Sequence, residues 1–204
     1  VRIGVFTPCY RGTVRIEQSY SLVRDVAWGM RVGHDVMPFH MAGCSIERAR
    51  NYAVAHALER ECDLLLMQDA DVYVAGGESG LERLVGRWEE TRAAVVAAAV
   101  PSRRGDFLNC DPQNEIGVFE GDVGTGLMLV DVRQVGEGPW FRYHYSEDGS
   151  LVVCGEDIAF CRLMRKRGRR VIVDSTIPTG HVDEAHLLHN PGAGIDGRRI
   201  GRDA

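Results

Sequence analysis

The sequence predicts an α/β fold: a mostly parallel central sheet with helices on both faces. Three observations carry this. Leu64 to Met67 and Ala93 to Val100 are apolar runs without alternation, the mark of strands buried on both faces. Helical stripes lie between the apolar segments. The resulting order over the first hundred residues is β-α-β-α-β-α-β, which a right-handed wound sheet accommodates.

The elements follow in chain order. Val1 to Phe6 reads as a first strand, closed by Thr7-Pro8 because proline cannot continue a central ladder. Ile16, Tyr20, Val23, Ala27 and Met30 form the apolar stripe of a helix over residues 14 to 30. Val36 to Met41 is a short second strand. Ser45 is placed to cap a helix running to about Arg60, with Ile46, Ala49, Ala53 and Ala57 on one side. Asp63 to Gln68 is the third strand, Leu81 to Thr91 a helix after a glycine-rich loop, and the run to Val100 a fourth strand stopped by Pro101. Beyond it, Glu115 to Glu120 and Gly126 to Val132 read as short strands. Gly124 and Gly126 allow a close backbone approach. Glu156 to Lys166 is a helix ended by Gly168, and Val171 to Val173 a last strand. The tail from Pro191 has no periodicity and is expected to be mobile.

Composition narrows the function classes. With 204 residues, 45% of them apolar and 26% charged, the chain has the makeup of a soluble globular domain with a sizeable core. A net charge of -5 argues against a general nucleic-acid binder. No apolar run approaches the roughly 20 residues of a membrane helix, and no leader is visible, so a cytoplasmic protein without integral membrane attachment is expected. Six cysteines without a CxxC pair point to free buried thiols in a reducing compartment.

The chemistry gathers at Asp69-Ala70-Asp71. Two carboxylates spaced i, i+2 at the C-terminal end of a buried strand sit where open α/β sheets bind ligands. Oxygen ligands of this kind suit a hard cation shared with a substrate phosphate. The tripeptide alone fits a solvated acidic turn equally well.

The surrounding series favours the site. Thr7-Pro8 after the first strand, Arg48-Ala49-Arg50-Asn51 on a helix, Asp63 to Asp71, Gly124-Thr125-Gly126, Gly155-Glu156-Asp157 and Gly180-His181 occur in an order that resembles GT-A-fold glycosyltransferases. The likeness is to small family-2-like enzymes of the bacterial and phage kind. It covers residues 1–182 as one catalytic domain, with a nucleotide-binding half (1–100) and an acceptor- and metal-closing half (101–182), and leaves 183–204 as an extension.

The resemblance implies that Asp71 coordinates a divalent metal bridging the donor diphosphate, with Asp69 on the ribose or a metal-bound water and His181 as a third ligand. His186 and His189 are alternatives for that ligand, or a separate pair on a helix turn. Imidazole in the set suits Mn2+ better than Mg2+. Asp157 is expected to deprotonate the acceptor hydroxyl, with Glu156 second, although acidic residues also favour helix N-termini for capping alone. Arg50 and Asn51 are expected near the nucleotide or its phosphates, Thr7, Pro8 and Tyr10 near the nucleobase, and Gly126 at the donor. Arg48 is assigned to a solvated face. Trp140 and Tyr143 are either sugar-stacking or core aromatics, and Arg103 and Arg104 carry no assignment.

The expected function is therefore metal-dependent transfer of a sugar from a UDP- or GDP-linked donor to a hydroxyl acceptor, with inversion. A nucleotidyltransferase is the alternative on the same half-sheet, but it calls for a glycine-rich basic loop after the first strand. A non-catalytic sugar- or nucleotide-binding module is the third. The acceptor and the oligomeric state are unassigned, and a nucleic-acid acceptor has no support from the charge.

Overall fold

The computed structural model describes residues 1–9, 12–102, 107–113, 115–182, 186–190 and 194–198, the last two segments as backbone. Strand β1 (Arg2–Cys9) leads into helix α1 (Ile16–Arg31), β2 (Asp35–Ala42), α2 (Ile46–Glu59), β3 (Leu64–Gln68) and the short β4 (Val72–Val74). Helix α3 (Gly80–Thr91) and β5 (Val95–Ala98) complete the first half. The second half holds β6 (Cys110–Asp111), β7 (Val118–Glu120), β8 (Asp122–Val123), β9 (Leu127–Asp131) and a 3-10 turn at Val132–Gln134. A hairpin of β10 (His144–Tyr145) and β11 (Val152–Cys154) then precedes α4 (Glu156–Lys166). The chain continues through β12 (Val171–Asp174), β13 (Thr179–Val182), β14 (His186–Asn190) and β15 (Gly194–Arg198). The helix signals read from sequence hold. The Ser45 hydroxyl accepts the Arg48 N–H at 3.4 Å, and Gly168 leaves α4 at a φ of +71°.

The central sheet has seven strands in the order β2-β1-β3-β9-β5-β12-β7. This is the expected α/β architecture, with one change. The first four expected strands run in one direction, but β9 is inserted antiparallel between β3 and β5. All five of its residues are buried, so its unbroken apolar run fits between two strands of the same kind. Strand β7 is also antiparallel, against β12.

Proline does not close the first strand as expected: β1 runs through Pro8 to Cys9. Its pairing with β3 ends at Phe6–Met67, whereas its pairing with β2 continues to Cys9–Ala42. Past Phe6 the strand has a partner on one side, where a missing N–H can be tolerated.

Helix α1 packs by its polar side. Its apolar stripe faces solvent, with Ile16, Tyr20, Val23, Ala27 and Met30 all exposed. The buried side carries Gln18, Ser21 and Asp25. Each has a specific partner below: Gln18 donates to the Thr7 hydroxyl, Ser21 bonds Gln68 and the Val74 N–H, and Asp25 accepts from Ser79 and from the Leu81 N–H that opens α3. Polar groups that satisfy otherwise orphaned backbone and side-chain donors decide the orientation, because leaving them buried and unpaired costs about 1–3 kcal/mol each.

The two sheet faces differ accordingly. On one, α2 and α4 cover a core that includes Phe6, Phe141 and Phe160, the last two stacked at 4.3 Å between centroids. On the other, Trp28, Leu84 and Trp88 of α1 and α3 pack over Leu64 and Leu66. A second, antiparallel sheet of order β15-β14-β13-β4 lies beside the first. Two of its strands, β14 and β15, lie beyond residue 182, in the stretch expected to be an extension without periodicity from Pro191.

Candidate functional site

The backbone of the acidic turn after β3 is tied to three other parts of the chain. Asp69 donates its N–H to the Gly126 carbonyl at 3.0 Å, and its own carbonyl accepts the Val72 N–H at 3.1 Å. The Ala70 carbonyl takes the Arg15 N–H at the start of α1 at 3.0 Å, and the Asp71 carbonyl takes the Val182 N–H at 2.7 Å. From inside, the fully buried Gln68 side chain bonds the Val72 carbonyl at 3.0 Å and so spans the turn. Gly126 is itself buried and supports the turn through its carbonyl.

Arg50 is the centre of the site. It is 4% exposed, and its guanidinium bridges the two acidic segments. Nη2 lies 2.9 and 3.1 Å from the two Asp69 carboxylate oxygens, and Nη1 is paired with Glu156. Both guanidinium nitrogens Nη1 and Nη2 are thus engaged within the protein. Asn51 is likewise turned to structure. Its amide donates to the Glu47 and Phe141 carbonyls, and its oxygen accepts from the Trp140 and Phe141 N–H groups. With all four positions filled it clamps the Trp140–Phe141 loop and has nothing left for a donor. Arg48 is exposed, as expected.

Burial pushes the Asp69 carboxyl above its ordinary range, against the pull of Arg50, with Asp71 adding repulsion. Glu156 is raised for the same first reason, again opposed by Arg50. The Tyr143 hydroxyl bonds Glu156, and burial beside that carboxylate pushes the phenol up to about 12. Tyr143 is thus a carboxylate partner. Asp157 behaves differently. It is half-buried, its Oδ1 accepts the Ile158 N–H at 2.7 Å, and its charge acts on Arg50, Asp69 and Glu156.

Gly124 makes room beside it. A Cβ there would collide with the Asn109 carboxamide and come 3.3 Å from Asp157 Oδ2, so glycine permits a close approach of the kind expected. Nothing in the sequence marked Asn109.

His181 reaches Asp71 through sheet register: it stands opposite Val72 where β13 pairs with β4. Its Nε2 is 3.2 Å from Asp71 Oδ2, and its Nδ1 is 3.0 Å from the Pro101 carbonyl oxygen. A carbonyl can only accept, so Nδ1 carries a proton and Nε2 turns toward the carboxylate. A carbonyl behind the far ring nitrogen is how metal-binding histidines are commonly oriented. His186 and His189 lie on strand β14, not on a helix turn.

These donors fit a divalent cation. Three carboxylates, Asp69, Glu156 and Asp157, act on Arg50, and Asp71 acts on Asp69, so the site carries excess negative charge. Asp71 and His181 are adjacent oxygen and nitrogen donors, whereas Asp69 is engaged by Arg50. Among the described residues no group of three or more His, Cys, Asp or Glu side chains is arranged to hold a metal. Further ligands would come from solvent or substrate.

At the same end of the sheet, between α1 and β2, lies a cavity of about 350 Å3 walled by Thr7, Gln18, Phe39 and His40. Thr7 lines it, Pro8 is buried in β1, and Tyr10 lies outside the described residues, as do Arg103 and Arg104. All six cysteines are free thiols, four of them buried. Among the described residues no helix is long and apolar enough to cross a membrane.

No family model matches the chain, and no curated protein matches it. Solved structures do. A197 from STIV is 20% identical and superposes with a TM-score of 0.68 over the whole of both chains. A UDP-glucose pyrophosphorylase from Acinetobacter baumanii is 9% identical with a TM-score of 0.54 over 88% of each chain. The UTP-bound form of that enzyme gives 0.53 over the same share. At these identities the likeness is one of fold: the chain shares the α/β architecture of these structures.

Proposed function

We propose that the protein is a metal-dependent glycosyltransferase that moves a sugar from a UDP- or GDP-linked donor to a hydroxyl acceptor. The observation that carries this reading is the partition of the carboxylates. Glu156 is sealed against Arg50 and Tyr143, whereas Asp157, next to it, is reachable and unpaired with Arg50. An open carboxylate within a crowded acidic site is what a general base requires.

The nucleobase would occupy the cavity beside Thr7, and the diphosphate would lie toward Asp71. Asp71 and His181 would hold Mn2+ or Mg2+, which when bound would stabilise the charge on the departing diphosphate. Asp69 would orient ribose or a water from its fixed place on Arg50. The acceptor oxygen forms its bond to the anomeric carbon while the carbon–oxygen bond to the diphosphate breaks. The nucleoside diphosphate leaves with that electron pair, and the hydroxyl proton passes to Asp157, giving inversion.

The named pyrophosphorylases among the fold neighbours favour a second reading, nucleotidyl transfer. The products separate the two. Incubation with UDP- and GDP-sugars and Mn2+ is expected to release the nucleoside diphosphate, slowly by hydrolysis and faster with an acceptor. Pyrophosphate release from a nucleoside triphosphate plus a sugar 1-phosphate would replace the first reading by the second.

A further inference from the structure

A second cavity, of about 380 Å3, lies against the start of α4. Phe107, Asn109, Asp111, Gln113, Ile158 and Arg162 are among the residues that line it. Two of these border the acidic site: the Ile158 N–H holds Asp157 Oδ1, and the Asn109 carboxamide lies over Gly124. The backbone of Asn109 is fixed on both sides. Its N–H donates to the Val100 carbonyl at 2.8 Å, and its carbonyl accepts the Gly124 N–H at 2.9 Å. Its side chain is left exposed. A Cβ on Gly124 would stand 1.9 Å from Asn109 Nδ2 and 3.3 Å from Asp157 Oδ2, so these two atoms lie within about 5 Å of each other. Among the described residues no hydrogen bond joins them directly. One oxygen at about 2.8 Å from each can bridge such a gap.

We infer that this cavity is the acceptor subsite, and that it takes a neutral saccharide whose reacting hydroxyl is held between Asn109 and Asp157. The inference rests on the glycosyl-transfer reading and names the acceptor class within it. Asn109 Nδ2 donates to one lone pair of the acceptor oxygen, and the hydroxyl proton points at Asp157 Oδ2. The second lone pair is left to attack the anomeric carbon. As that bond forms, the proton passes to Asp157 and the carbon–oxygen bond to the diphosphate breaks, its electron pair leaving with the nucleoside diphosphate.

The walls set the class of acceptor. Asn109 and Gln113 offer carboxamides, which both donate and accept, as sugar hydroxyls do. Phe107 and Ile158 give apolar surface for the C–H face of a ring. Charge is balanced. Buried Asp122 takes Arg162 at 3.1 Å and also Arg165, and the charge of Asp111 acts on Arg162. Two carboxylates thus stand against two guanidiniums. Among the described residues this leaves no cationic surplus for the phosphates of a lipid-linked or nucleic-acid acceptor.

The test measures nucleoside diphosphate release, with Mn2+, from whichever UDP- or GDP-sugar the protein hydrolyses. A panel of neutral methyl glycosides is added as acceptors, beside glycerol phosphate and a single-stranded oligonucleotide. A neutral glycoside is expected to accelerate release, and the two phosphate-bearing probes are not. Asn109→Ala lowers kcat/KM for that glycoside by about tenfold or more and lowers acceptor-free hydrolysis far less. Gln113→Ala, also at an exposed position, raises the glycoside KM several-fold with kcat near the parent value. Absence of any donor hydrolysis removes the transfer reading itself. Hydrolysis that no glycoside accelerates, acceleration by a phosphate-bearing probe instead, or equal loss of hydrolysis and transfer in Asn109→Ala overturns the acceptor inference alone.

Discussion

Asp69-Ala70-Asp71 and Glu156-Asp157 meet across Arg50, and the two acidic segments are divided alike. In each, one carboxylate is tied to the guanidinium and its neighbour is not. The tied members differ in reach: the Glu156 side chain is 6% exposed and also bonds Tyr143, whereas Asp69 keeps 26% of its side chain open. The untied members differ in company. Asp71 has the His181 ring, and Asp157 has its own helix start and the space over Gly124. An acidic pair is read by its partners: a shared arginine fixes one carboxylate of each pair and leaves the other to its own neighbours.

Substitutions at the two ends of this comparison should separate rate from stability. Asp157→Asn is expected to lower turnover by about 10²–10⁴ while nucleotide binding persists, as measured by single-turnover kinetics beside calorimetry. Equal loss of binding would place Asp157 with the supporting residues. Arg50→Met should cost about 3–5 kcal/mol in denaturant unfolding, because Asp69 and Glu156 are left as uncompensated buried charges. That variant should recover stability as pH falls into the carboxylate range. If it is as stable as the parent at neutral pH, the bridge is not what holds the segments together.

Asn51→Ala probes the loop behind Arg50. It removes four hydrogen bonds to the Glu47, Trp140 and Phe141 backbone, and about 1–3 kcal/mol should be lost with little change in donor affinity. A selective loss of donor affinity would return Asn51 to the binding site.

Asp131 supplies the reference for a purely structural carboxylate. Burial pushes its pKa up, but bonds from Arg133, Gln134 and Trp88 outweigh this and hold it below 3.8. Its contribution is therefore complete above the unfolded value and disappears as pH falls through the folded one. Asp69 and Glu156 are raised, so their ionisation draws stability down as pH rises through their folded values. Asp131→Asn should cost about 1 kcal/mol at neutral pH, and the gap to the parent should close below about pH 4. A gap that persists in acid would trace the effect to packing.

The fold was largely legible because its signals are local. Ser45 caps a helix within three residues, Leu64 to Met67 can only be buried, and Gly168 ends a helix by conformation. The acidic residues were legible as candidates for the same reason. What sequence could not carry was partnership over distance. Arg50 on a helix reads equally as a solvated or a buried cation until Asp69 and Glu156 are brought to it. Asn51 gave no sign that a loop ninety residues away would use its amide. The α1 stripe was visible, but not its direction, since the polar partners of Gln18, Ser21 and Asp25 lie on β1, β3, β4 and the start of α3. Gln68 did offer a signal, a carboxamide ending an apolar run, and its bond across the acidic turn explains it.

The division of labour is tested most directly by titrating UDP and GDP into the protein with and without Mn2+, in the parent, Asp71→Asn and Asp157→Asn. The account predicts one preferred nucleotide whose binding strengthens with Mn2+ in the parent and in Asp157→Asn, and loses that dependence in Asp71→Asn. Metal-independent binding in all three proteins, or no nucleotide binding in the parent, would contradict it.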